Sequence, residues 1–104
     1  MEKVGVVGEF VEGVLYGKRV GGKSVVVTRA NGRFYALSNV CTHQGFTISP
    51  GTTDGVTLLC PVHGAVFDIA TGEPIEGPAG DPLTVYTVRV EGEDVLVSEA
   101  EGEQ

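Results

Sequence analysis

Residues 23–38 read KSVVVTRANGRFYALS, and the fold class turns on this stretch. Lys23–Arg29 and Arg33–Ser38 are two β-favouring runs separated by Ala30-Asn31-Gly32. Asn and Gly both tolerate the positive φ that a tight hairpin turn demands, so the stretch predicts two antiparallel strands. Similar runs recur on either side. Upstream lie Lys3–Val7 and Gly13–Val20, the latter closed by Gly21-Gly22. Downstream lie Val56–Cys60, Ala65–Ile69, Leu83–Val90 and Val95–Ser98, with Glu91-Gly92-Glu93-Asp94 as a second expected hairpin. In Leu83–Val90, Tyr86, Val88 and Val90 share an apolar face opposite Val85, Thr87 and Arg89, the alternation of a half-buried strand. No stretch carries a convincing apolar 3.6-residue period.

Composition points the same way. Eighteen Val, nine Thr and three Ile outnumber six Leu and six Ala, and sixteen Gly in 104 residues is twice the ~7% usual for globular chains. Stiff β-branched side chains between frequent glycine turns describe an all-β domain. At 104 residues the chain has room for one compact domain, expected over 1–104, with the acidic residues Glu99–Gln104 as a frayed tail.

The net charge is −7, which disfavours nucleic acid and anionic membrane surfaces as partners. It is unevenly spread: residues 1–33 carry +3 and residues 34–104 carry −10. That asymmetry suits either a solvated acidic face or a docking surface for a basic partner. The start, MEKVGVVGEF, offers no apolar core of a signal peptide, and no apolar run approaches the ~18 residues needed to span a bilayer. A cytoplasmic location is expected.

Two long irregular stretches, Asn39–Gly55 and Gly72–Pro82, interrupt the strand pattern, and long loops in a small β domain usually serve function. The chain's only two cysteines and two histidines fall as Cys41-Thr42-His43 and Cys60-Pro61-Val62-His63. A Cys41–Cys60 disulfide would leave both histidines unexplained, and disulfides are uncommon in the cytosol. Metal is the reading that uses all four. Zinc sites usually take two Cys from one segment and two His from another, whereas here each segment supplies one of each. That division suits a [2Fe–2S] cluster with two thiolates on one iron and two imidazoles on the other.

The pattern Cys-x-His, sixteen residues, Cys-x-x-His resembles the signature of Rieske-type [2Fe–2S] proteins. The resemblance extends through Gln44-Gly45, Ile48 and Gly51, then Gly64, Phe67-Asp68, Thr71-Gly72 and Gly77-Pro78-Ala79, which is similar to the proline loop covering the cluster in that family. It implies an all-β fold, a small antiparallel β-sandwich or barrel with a cluster-binding subdomain formed by two Cys–His loops. It also implies one cluster per chain, ligated by Cys41, His43, Cys60 and His63. Gln44, Gly45, Val62, Gly64, Ala65, Phe67, Gly77 and Pro78 would surround it.

Departures from the family pattern set a redox direction. High-potential members carry an extra cysteine in each loop, where this chain has Phe46 and Val62, and hydroxyl donors where it has Ala65 and Phe67. Reduction adds one negative charge, which donors to sulfur would stabilise. Without them the potential is expected near the low end of the Rieske range, about −150 mV. Low potential without a disulfide resembles the soluble ferredoxins of bacterial multicomponent dioxygenases. The resemblance implies a non-catalytic one-electron carrier, without a small-molecule substrate, between a flavin-dependent NAD(P)H reductase and a terminal oxygenase. An oxygenase catalytic subunit would need further histidines for a mononuclear iron, and none remain. A small Rieske-like subunit of a nitrite reductase-type complex and a structural zinc module stay open as alternatives.

Overall fold

A computed structural model describes residues 2–39, 52–59, 66–76 and 82–101. Among the described residues, regular structure comprises ten strands and one short 3-10 turn, Val7–Glu9. The strands are β1 (Glu2–Val6), β2 (Leu15–Val20), β3 (Lys23–Ala30), β4 (Arg33–Ser38), β5 (Thr52–Thr53), β6 (Thr57–Leu59), β7 (Val66–Asp68), β8 (Pro74–Glu76), β9 (Val85–Glu91) and β10 (Asp94–Glu101). They form a six-stranded antiparallel sheet in the order β1-β10-β9-β4-β3-β2 and a four-stranded one in the order β5-β6-β7-β8. The larger sheet curls until its edges approach, and the Glu2 carboxylate accepts a 2.9 Å hydrogen bond from the Gly21 N–H on the opposite edge.

The hairpin expected at residues 23–38 forms, with its first strand one residue longer than the sequence suggests. Ala30 pairs with Arg33, leaving Asn31 and Gly32 as a two-residue loop with φ of 54° and 77°. Positive φ at both positions matches the right-handed twist of the flanking strands. Strands β3 and β4 are buried on both faces, which explains why Val25, Val26 and Val27 are consecutive apolar residues with no exposed surface. Val25, Val27 and Ala36 face a core inside the curled sheet with Val4, Phe10, Val20, Tyr86, Val95 and Val97. Phe10 closes this core by edge-on packing against Tyr16 and Phe34, at centroid distances of 5.1 and 5.6 Å. Val26, Ala30 and Leu37 face the other way, joining Leu15, Leu58, Phe67, Ile69 and Leu83 in a core that cements the small sheet onto the large one.

Four features depart from the sequence reading. Within the two stretches expected to be irregular, β5 and β8 are strands, too short to show any periodicity. Strand β8 begins at Pro74 and lies at a sheet edge, where the missing N–H breaks no ladder. Strand β10 runs to Glu101, into the stretch expected to fray, because Glu101 still pairs with Tyr86 of β9. Val90, expected on the apolar face, is 45% exposed, while Tyr86 and Val88 on that face do pack against the inner core. Val85, on the supposedly polar side, packs against the core between the sheets.

Candidate metal centre

Cys41, His43, Gln44, Gly45, Phe46, Cys60, Val62, His63, Gly64, Ala65, Gly77 and Pro78 lie outside the described residues. The residues bordering their segments are described, and sheet register brings them together. Thr52 pairs with Leu59, Leu59 with Val66, and Val66 with Glu76. These four residues form one row across the end of the small sheet, roughly 14 Å wide at ~4.8 Å per strand. Segment 40–51 ends beside this row at Thr52, segment 60–65 joins its two middle members, and segment 77–81 departs from Glu76.

The other end of segment 40–51 is equally well anchored. Asn39 is buried; its backbone N–H donates to the Ser24 carbonyl at 3.0 Å and its Nδ2 to Ser24 Oγ at 3.2 Å. Ser38 donates its N–H to the Thr84 carbonyl at 2.8 Å. The segments carrying one Cys and one His each are thus tied to a single platform. Two thiolates and two imidazoles are a donor set that suits a two-iron, two-sulfide group, so the residues present fit it. Among the described residues, no group of three or more His, Cys, Asp and Glu could hold a metal ion.

Phe67, expected beside the cluster, is completely buried in the core between the sheets, one residue from the row. An aromatic ring there braces the platform from beneath.

Asp54 and Asp68 build the platform's turns, a role the sequence reading did not assign. Asp54 Oδ1 accepts the N–H groups of Thr57 and Val56 at 2.8 and 2.9 Å and closes the β5–β6 turn. The Thr57 N–H, followed by that of Val56, holds this carboxyl below its ordinary value of 3.8. Asp68 Oδ1 likewise accepts from Ala70 and Thr71 at 2.9 and 3.0 Å. The signals were local: Asp54-Gly55 and Asp68…Gly72 are turn chemistry, with the aspartate side chain bonding backbone two residues on. Asn31 Nδ2 donates to the Gly55 carbonyl at 3.2 Å, tying the β3–β4 hairpin to the small sheet. Nothing in the sequence foretold that partner.

The electrostatic setting is one-signed. Between Arg33 and Arg89 the chain has no Lys or Arg, while Asp54, Asp68, Glu73, Glu76 and Asp81 all fall there. The whole small sheet therefore carries carboxylates without cations of its own. Among the described residues, no helix is long and apolar enough to cross a membrane.

Comparison with known proteins places this arrangement. Residues 1–87 match the model of the Rieske [2Fe–2S] domain. The chain is 40% identical over 80 residues to Ferredoxin CarAc of Metapseudomonas resinovorans, covering 77% of this chain and 75% of that one. It is 34% identical over 89 residues to the ferredoxin component of the naphthalene 1,2-dioxygenase system of Pseudomonas aeruginosa, covering 86% of each. Among solved structures, a chain from the complex of reduced oxygenase and oxidized ferredoxin in carbazole 1,9a-dioxygenase superposes with a TM-score of 0.90 at 34% identity. It covers 98% of this chain and 95% of its own.

Proposed function

The chain belongs to the Rieske [2Fe–2S] domain family, and from that premise we propose a one-electron carrier whose cluster is ligated by Cys41, His43, Cys60 and His63. The observation that supports this most is the row Thr52, Leu59, Val66 and Glu76, which borders both Cys–His segments. Related chains are named as ferredoxins, two of them as ferredoxin components of dioxygenases, which favours a ferredoxin over a nitrite reductase-type subunit or a zinc module.

When bound, the cluster supplies a centre that takes up and releases one electron. The protein's part is to hold it rigidly and to expose a route for the electron. Cys41 and Cys60 would hold it as thiolates and His43 and His63 as imidazoles, each through one ring nitrogen. The donor is a flavin-dependent NAD(P)H reductase and the acceptor a terminal oxygenase, in the cytoplasm. Acidic residues around the small sheet favour a basic docking face on either partner. The solved complex of a related ferredoxin with its oxygenase supports the acceptor side of this reading.

The test is direct. Natively purified protein is expected to be red-brown, to contain two irons and two sulfides per chain, and to give a rhombic paramagnetic resonance signal only after reduction. One zinc and no sulfide would refute the assignment.

A further inference from the structure

We infer that Gly72 is a positioning residue: together with Leu83 it sets the register between the two Cys–His segments. The inference deepens the Rieske reading and rests on it. Its basis is a continuous path of described residues that links the end of one segment to the start of the other.

The second segment re-enters described chain at Val66 and runs along β7 to Asp68. Asp68 governs the turn that follows. Its N–H donates to the Glu73 carbonyl at 2.8 Å, and its own carbonyl accepts the Gly72 N–H at 2.8 Å. The Gly72 carbonyl then accepts the Leu83 N–H, also at 2.8 Å. One residue on, the Thr84 carbonyl accepts the N–H of Ser38, and Val85 pairs with Leu37. Ser38 and Asn39 lead directly into the segment that carries Cys41. Residues 83–85 thus form a strap, held on one side by Gly72 and on the other by the end of β4. The spacing between the two segments is transmitted through it.

Only glycine allows the strap to lie where it does. Gly72 has φ of +78°, and a Cβ built there would stand 2.2 Å from the Leu83 carbonyl oxygen and 3.1 Å from its carbonyl carbon. It would also meet Val85 Cγ2 at 3.2 Å. The obstructing oxygen is backbone, so relief requires the strap itself to move. The Leu83 side chain, 2% exposed among Phe67, Ile69 and Leu58, resists that movement. Gly22 provides an internal comparison, with φ of +81° and nothing within 4 Å of an added Cβ. Alanine at either position incurs similar backbone strain, but only at position 72 does it displace a neighbour.

A centre bonded to two segments reports their relative position through its electronic structure and its potential. A looser frame lets solvent relax around a group that gains a negative charge on reduction, which favours the reduced form. The experiment uses the holoprotein and compares Gly72→Ala and Gly22→Ala with wild type. It reads the reduction midpoint, the g-values of the reduced signal and the rate of iron loss to a chelator. Gly72→Ala is expected to raise the midpoint, shift the g-values and speed iron loss several-fold, with Gly22→Ala matching wild type in all three. Wild-type midpoint and g-values in Gly72→Ala, or equal shifts in Gly22→Ala, would overturn the inference. If Gly72→Ala yields no folded protein, Leu83→Ala loosens the same strap, and an unshifted midpoint there overturns it equally. A wild-type protein without iron and sulfide would instead remove the Rieske reading beneath it.

Discussion

Replacing Phe67 by alanine removes the largest fully buried side chain of the core between the sheets. That core draws on both layers: Leu58 lies in β6 of the small sheet and Ile69 directly after β7, while Val26 and Leu37 belong to the large sheet. Truncating a buried Phe costs about 3–5 kcal/mol, the lost transfer energy plus the cavity left behind. Against a total stability of roughly 5–15 kcal/mol, that is a large fraction. With a urea slope of about 2 kcal/mol/M, a 4 kcal/mol loss lowers the unfolding midpoint by about 2 M. The chain has no tryptophan, so far-UV circular dichroism reports the backbone, and visible absorbance reports the bound cluster independently. In Phe67→Ala both midpoints should fall, and colour should be lost at or below the urea concentration that unfolds the backbone. Val90→Ala, at a 45% exposed position, serves as the control and should stay within about 0.5 kcal/mol of wild type. A drop of less than about 0.5 M in Phe67→Ala would mean that this core does not hold the two sheets together.

Further outcomes follow from the site and its surroundings. Ala65→Ser is expected to raise the reduction midpoint by adding a donor directed at sulfur; an unchanged or lower value in a redox titration would count against that role. Electron transfer to an oxygenase partner should slow as salt rises, since no cation offsets the carboxylates between Arg33 and Arg89; a rate indifferent to ionic strength would remove the docking idea. Asp54 has a depressed folded-state value, so its contribution to stability is complete above 3.8 and disappears as pH falls below it. Asp54→Ala should flatten that part of the acid-unfolding curve, and a curve identical to wild type would show the β5–β6 turn to be energetically silent.

The large sheet was the most legible part of the molecule. Its strands are long enough for alternation to register, and Asn31-Gly32 announces its own hairpin. The small sheet was harder to read because its strands have two or three residues each, and their pairing depends on turns closed by Asp54 and Asp68. The four proposed ligands stood out at once, as every Cys and His in the chain falls within two short motifs. Sheet register, by contrast, is non-local. No sequence pattern reveals that Thr52, Leu59, Val66 and Glu76 stand abreast, or that the strap at Leu83 leans on the backbone of Gly72.

Strand β3 addresses two compartments with alternate letters. Val25 and Val27 speak only to the interior of the curled sheet, and Val26 only to the layer beneath the metal-bearing end. Natural drift or a protein engineer can therefore retune the redox end through one parity of this strand while the barrel goes on using the other. Neighbouring positions in the chain thus bear on different cores, one that fills the curled sheet and one that fastens the metal-bearing layer to it.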